Sequence, residues 1–82
     1  PLVRRYQQAR RLVARRGYTI PDALPPVAAG DWLVAHAGDA GRPLVVLAAL
    51  LYRHRYGGAP VDEVEAEAHA ALRLLRRLPR RS

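Results

Sequence analysis

Apolar residues along much of this chain recur every three or four positions, the spacing that places them on one face of an α-helix. Glycine and proline residues divide the chain into four such segments. No run of four or more residues between turn signals alternates apolar and polar side chains as a half-buried β-strand does, and no internal repeat is visible. The pattern predicts an all-α protein.

The first predicted helix covers residues 2–16 and ends at Gly17, because glycine readily adopts the left-handed conformation that closes many helices. Its inward stripe comprises Leu2, Tyr6, Ala9 and Val13. Three prolines within residues 18–26 predict an extended connector. A second helix is predicted over residues 28–37, and Gly30 inside it favours a start further along the chain.

The third predicted helix, residues 43–56, is the most apolar part of the chain. Pro43 suits a first helical turn, where a missing N–H costs nothing. Because residues 44–52 have no polar face, this helix is predicted to be surrounded by other elements. Nine apolar residues are fewer than half of the roughly 20 that cross a bilayer, so no membrane span is predicted.

A fourth helix is predicted to begin after Pro60 and to end near Leu78, with acidic residues in its first turns and arginines in its last. Its inward stripe comprises Val61, Val64, Ala68, Leu72, Leu75 and Leu78. Residues 79–82 are predicted to be a frayed tail. The expected fold is a small bundle of about four helices around the central apolar helix 43–56, in a single domain spanning residues 1–82.

The charge of the chain is strongly positive. Fourteen arginines and no lysine give a net charge of +7, which favours acidic partners such as nucleic acid or an anionic membrane surface. Two explanations for the use of arginine alone stay open, codon bias in a GC-rich genome and selection for guanidinium chemistry. Helix 1 has no acidic residue, and its candidates for contact with an anionic surface are Arg4, Arg5, Arg11, Arg15 and Arg16. A face that simply meets water explains them equally well.

Residues that carry out catalysis are scarce. The absence of cysteine excludes disulfides and cysteine-ligated zinc, and Thr19 and Ser82 are the only serine or threonine hydroxyls. The histidines at 36, 54 and 69 are too far apart to form a helical metal-binding pair. We therefore predict no enzyme activity, no cofactor, no metal and no small-molecule substrate.

A small basic helical module that binds nucleic acid non-specifically is the alternative function. A helix-turn-helix would place the third helix in the major groove, but residues 44–51 offer no hydrogen bonds to base edges. Helix 1 remains able to lie along phosphates. Nucleic acid is thus kept as the less favoured partner.

One segment also resembles a known family. An apolar helix that ends in Tyr-Arg-His-Arg-Tyr-Gly-Gly at 52–58, followed by Pro60 and an acidic-to-basic helix, is similar to a C-terminal helical domain of unknown function. That domain is found in bacterial transglutaminase-like membrane proteins. The Arg10-Arg11-Leu12 stretch and Gly17 resemble its opening. Residues 25–38 match poorly, and the papain-like Cys/His/Asp catalytic core of such parents is absent.

The resemblance implies a non-catalytic accessory domain, a fragment of a longer membrane protein, on the cytoplasmic face of the membrane. Its implied partners are the rest of the parent protein or another protein, with anionic lipid headgroups beside it. Transglutaminase or protease-like activity would lie in another domain of the parent. A preceding membrane span would make the arginines of helix 1 juxtamembrane, as the positive-inside rule expects.

Overall fold

Helices account for most of residues 2–81, the part of the chain that a computed structural model describes. The elements are α1 (Leu2–Arg15), α2 (Pro26–Ala37), a 3₁₀ turn (Gly38–Gly41), α3 (Arg42–Gly57) and α4 (Val61–Leu75). These described residues contain no β-strand. The prediction of a small all-α bundle is confirmed.

The helices α2 and α3 fold back on each other as an antiparallel hairpin. Gly30 lies so close to α3 that a Cβ added to it would be 3.0 Å from the Cα of Val45. A Cβ on Gly41 would be 3.0 Å from the carbonyl carbon of Leu33. Gly30 and Gly41 therefore stand where the two backbones approach closely. For Gly30, the close packing of α2 on α3 offsets the cost of about 1 kcal/mol that glycine has in a helix interior.

This packing corrects the predicted start of the second helix. α2 begins at Pro26, two residues before the predicted start and not later, as Gly30 had suggested. Pro26 lies in the first turn, where its missing N–H leaves no bond unmade. The error arose because the helix cost of Gly30 is visible in the sequence, whereas its contact with Val45 is not.

Contacts along α1, α3 and α4 show in which direction these helices run relative to one another. Arg5 of α1 bonds to Glu65 of α4, and Arg16 after α1 bonds to the carbonyl of Leu78 after α4, so the two helices run parallel. α3 runs opposite to α4, since His54 near its end shares a cavity with Val61 at the start of α4. Pro43 near the start of α3 shares a groove with Leu74 near the end of α4. α3 contacts all three other helices, and its central position is confirmed.

The core contains residues from every helix and from the connector. Its largest fully buried side chains are Leu33, Leu44, Leu47, Leu50, Leu75, Leu78 and Val13. The predicted inward stripes of α1 and α4 are confirmed except for Val61, which is 58% exposed because it lies at the first position of α4, beyond the core. Tyr18 and Ile20 are buried although the connector was expected only to link helices.

The apolar sequence of α3 predicted that other elements would surround it, but part of its surface is exposed. Val46 is 44% exposed, Tyr52 61% and Tyr56 70%. The physical reason is the small size of the domain. A domain of this length leaves about 40% of the surface of its unfolded chain exposed to water, and only three other helices are available to cover α3. One face of α3 is therefore apolar and accessible.

The hairpin bears on the reading of the chain as a membrane protein. The helical run Pro26–Gly57 has a mean hydropathy of 1.3 in its most apolar window and is long and apolar enough to cross a membrane by those criteria. In this fold the run turns back at Gly38–Gly41, giving arms of 12 and 16 residues. At 1.5 Å per residue these arms are about 18 and 24 Å long, less than the roughly 30 Å of a hydrocarbon core.

The segment after α4 packs onto the end of α1. The backbone N–H of Arg81 donates to the carbonyl of Arg16 at 2.8 Å, and the Arg81 guanidinium lies 5.8 Å from the centre of the Tyr18 ring. These contacts differ from the frayed tail predicted for residues 79–82, because the parallel course of α1 and α4 brings both C-terminal ends together. Ser82 lies outside the described residues.

Substitution of the glycines tests the hairpin. We expect Gly41→Ala to lower the free energy of unfolding by about 1–3 kcal/mol, because its Cβ is forced against the α2 backbone. Gly57→Ala is the control, since a Cβ there meets nothing within 4 Å, and it should raise stability by up to about 1 kcal/mol. Urea unfolding followed by far-UV circular dichroism measures both. Equal stability of the two variants would contradict the close approach.

Candidate anion-binding surface

α1 separates its apolar side chains from its basic ones. The residues that it buries are Leu2, Tyr6, Ala9, Leu12 and Val13. Arg4, Arg11 and Arg15 lie on the opposite side and are exposed. They follow one another at seven and four positions, so they form a stripe about 16 Å long at 1.5 Å per residue. We call these three residues the basic face of α1.

The basic face has no neutralising partner within residues 2–81. None of its three arginines forms an ion pair or a side-chain hydrogen bond there. Arg10, by contrast, donates to the Tyr6 hydroxyl at 3.1 Å. Because a guanidinium stays charged at all physiological pH values, the basic face carries a fixed positive potential that attracts anions.

Arg5, the second of the five candidate arginines, is occupied within the bundle. Its Nε donates to Oε1 of Glu65 at 2.7 Å, and both side chains are about one-third exposed. A charge-assisted bond of this length is stronger than a neutral one. The sequence placed Arg5 among the candidates because α1 has no acid, but its partner comes from α4, and no local pattern reveals that pairing.

Arg16 is also occupied, and its role is structural. Its two terminal nitrogens donate to the carbonyls of Leu78 at 3.2 Å and Arg76 at 3.1 Å. The last carbonyls of a helix have no partners inside it, so side chains from elsewhere often satisfy them. Arg16 therefore ties the end of α4 to the end of α1 and is half-buried. The basic face keeps three of the five predicted residues.

Neighbouring arginines should differ sharply in their effect on stability. Arg16→Ala removes two hydrogen bonds from a charged donor, and we expect it to lower the free energy of unfolding by about 1–2 kcal/mol. Arg15→Ala removes an exposed side chain and should change stability by less than about 0.5 kcal/mol. Chemical denaturation of both variants measures the difference. An Arg16→Ala protein as stable as Arg15→Ala would contradict the tie between the helix ends.

Arginines are concentrated at one end of the α1–α4 pair. The ends of α1 and α4 lie together and carry Arg15, Arg16, Arg73, Arg76, Arg77, Arg80 and Arg81. Both helix dipoles place their negative ends there, which favours cations. Asp62, Glu63 and Glu65 lie at the opposite end of α4. One end of a bundle 39 Å long is thus strongly basic.

The histidines occupy three separate environments. His36 stacks on Trp32 with ring centres 3.8 Å apart, and His69 is exposed. Nδ1 of His54 is buried beside a cavity of about 20 Å³ and has no hydrogen-bond partner among the described residues. The end of α3 is closed by Gly58, whose N–H donates to the carbonyl of Arg53. In the described part of the chain, no three His, Asp or Glu side chains are grouped to hold a metal.

Two apolar grooves open on the surface. One, of about 550 Å³, lies between α3 and α4 and includes Val46 and Leu74. The other, of about 340 Å³, lies between α2 and α3 and includes Tyr52 and Tyr56, whose ring centres are 4.9 Å apart. Neither is lined by a serine or threonine. Both grooves are lined mainly by apolar side chains.

Comparison with known proteins adds no relative. No family model, curated protein or solved structure matches this chain. The class that the fold defines is a small all-α bundle with one basic helix face and one basic end.

Proposed function

We propose that this chain is a non-catalytic accessory domain that rests against anionic lipid headgroups on the cytoplasmic face of a membrane, through the basic face of α1. The observation that carries this proposal is the stripe of Arg4, Arg11 and Arg15, exposed and without partners among residues 2–81. Each basic residue near an anionic surface contributes about 1 kcal/mol. Three of them together strengthen the association about 100-fold.

The length of the stripe sets the orientation of the domain. Electrostatic attraction falls off over a Debye length of about 8 Å in physiological salt. If α1 stood upright on the membrane, Arg15 would lie about 16 Å farther from the headgroups than Arg4 and would contribute little. α1 therefore lies flat. Its apolar residues are in the core of the bundle, so the contact is electrostatic and sensitive to salt.

The resemblance of residues 52–58 supports a proposal for the parent protein. We propose a bacterial transglutaminase-like membrane protein, with any catalysis in another of its domains. Tyr52 and Tyr56 of the shared motif are 61% and 70% exposed and line the groove between α2 and α3. Exposed tyrosines are enriched at protein interfaces. This groove is a suitable contact for the rest of the parent protein.

Vesicle titration tests the membrane contact. The chain is titrated with vesicles containing phosphatidylserine and with neutral phosphatidylcholine vesicles, each at low and at physiological salt. We expect binding to the anionic vesicles only, weakening as salt rises. Duplex DNA is titrated in parallel. Binding to DNA without binding to vesicles would support the nucleic-acid alternative, and binding to neither would overturn both and leave protein contact as the role.

A further inference from the structure

The outward face of α4 carries acidic residues before Ala70 and arginines after it. One exposed stripe, adjoining the groove between α3 and α4, consists of Glu63, Ala66, Glu67, Ala70, Arg73, Leu74 and Arg77. At 100° per residue all of these lie within about 60° of Ala70 around the helix. Arg77 lies two residues after the end of α4, in a turn where its N–H bonds to the carbonyl of Leu74 at 3.0 Å.

The charges of this stripe are complementary to those of an identical stripe that runs in the opposite direction. Three residues before Ala70 stands Glu67, and three after it stands Arg73. Seven residues away stand Glu63 on one side and Arg77 on the other. Four residues before Ala70 stands the small Ala66, and four residues after it stands the larger Leu74. Each acidic position therefore has a basic position at the same distance on the other side.

We propose that this stripe is the interface of a two-fold symmetric homodimer in which α4 of one chain packs antiparallel on α4 of a second copy, with Ala70 on the axis. Glu63 of each chain then lies opposite Arg77 of the other, and Glu67 lies at the same level as Arg73 across the width of the interface. A two-fold interface uses the same patch on both subunits, so every pair occurs twice. Alanine at the crossing allows the two helix axes to approach to about 8 Å.

Charge decides the direction of packing. The arginines of α4 and of the turn after it lie at one end of that helix, and its acids lie at the other end. An antiparallel partner places the basic end of each chain beside the acidic end of the other, whereas a parallel partner would place like charges together. Glu67 is free to take part, because its contact with Arg53 of its own chain is 4.0 Å long and both side chains are more than half exposed.

The neighbouring groove supplies apolar area for the same contact. Val46 of α3 is 44% exposed and Leu74 of α4 is 52% exposed, and both line the groove beside the stripe. A second copy seated on the stripe covers them. The dimer does not depend on the proposed membrane contact, since the basic face lies on α1 and the stripe adjoins α3 instead.

Sedimentation equilibrium of the 82-residue chain tests the dimer. We expect a monomer–dimer equilibrium at low salt that weakens as salt rises. The double variant Arg73→Glu with Arg77→Glu makes the stripe entirely acidic and should weaken association about 10-fold or more, because every opposite-charge pair becomes a repulsion. The control, Arg76→Glu with Arg80→Glu, changes the net charge equally away from the stripe and should retain the dimer.

Mixing two variants whose stripes carry opposite charge provides the decisive test. Glu63→Arg with Glu67→Arg makes the stripe entirely basic, and this chain alone should not associate. Mixed with the all-acidic chain, it should form a heterodimer. Ala70→Arg places like charges on the axis without altering the helix ends, and it should also abolish the dimer. A monomeric wild type at low salt, no heterodimer from two folded variants, or equal loss in the control would each overturn the proposal.

Discussion

Replacing Leu47 with alanine is expected to remove a large part of the stability of this domain. Leu47 lies in the middle of α3, and its side chain has no exposed surface. A fully buried leucine-to-alanine change costs about 2–5 kcal/mol, the transfer free energy of the lost atoms plus the cavity they leave. At about 0.05–0.15 kcal/mol per residue, a domain of this length has roughly 4–12 kcal/mol in total.

The adjacent residue supplies the control. Val46 precedes Leu47 in the same helix but is 44% exposed, so Val46→Ala should cost less than about 1 kcal/mol. Urea unfolding of both variants, followed by far-UV circular dichroism, measures the free energy of unfolding. If the two substitutions were equally costly, the face of α3 that points into the core would have been assigned incorrectly.

The second large effect concerns the membrane contact. Arg4→Gln, Arg11→Gln and Arg15→Gln together should weaken binding to phosphatidylserine vesicles about 100-fold, because each removes about 1 kcal/mol of attraction. Glutamine is a good helix former, and these three arginines bond to no described side chain, so the fold should be unchanged. Vesicle sedimentation at one salt concentration measures the affinity.

A matched variant separates local charge from total charge. Arg53→Gln, Arg55→Gln and Arg80→Gln remove the same three charges from exposed positions outside α1. We expect this protein to keep most of its affinity for the anionic vesicles. Equal weakening by the two triple variants would show that only the net charge matters, and the basic face of α1 would then have no special role.

The parts of the fold that were predictable from sequence depend on short-range rules. The stripe of α1, from Leu2 to Val13, repeats at helical spacing, and Gly17 adopts a positive φ of 92° at its end. Gly58 ends α3 with a φ of 65°. Periodicity and the conformational freedom of glycine act within a few residues, so both features are visible in the sequence.

The features that were missed depend on which helices meet. Arg5 and Arg16 belong to α1 by pattern, but their partners are 60 or more positions away, in α4 or just after it. Gly30 weakens a helix on its own and is favoured only because α3 packs against it. The exposure of Val46 depends on how few helices surround α3. Single-sequence periodicity contains no information on these pairings.

The candidate surface shows the same division. Arg4, Arg11 and Arg15 were predictable as a basic face because α1 has a clear inward stripe on its other side. Their separation from Arg5 and Arg16 required the parallel packing of α1 and α4. The self-complementary order on α4 can be written from the sequence, but its exposure beside the α3–α4 groove is a property of the fold.

The flat orientation of α1 on an anionic membrane is measured most directly with spin labels. The chain has no cysteine, so Gln7→Cys and Ala14→Cys on the exposed side of α1, and Val27→Cys on α2, each give a single labelling site. With phosphatidylserine vesicles, we expect labels at 7 and 14 to lose access to a water-soluble relaxation agent equally, while the label at 27 keeps it. Protection at 27 alone, or at none of the three sites, would contradict the membrane contact through α1.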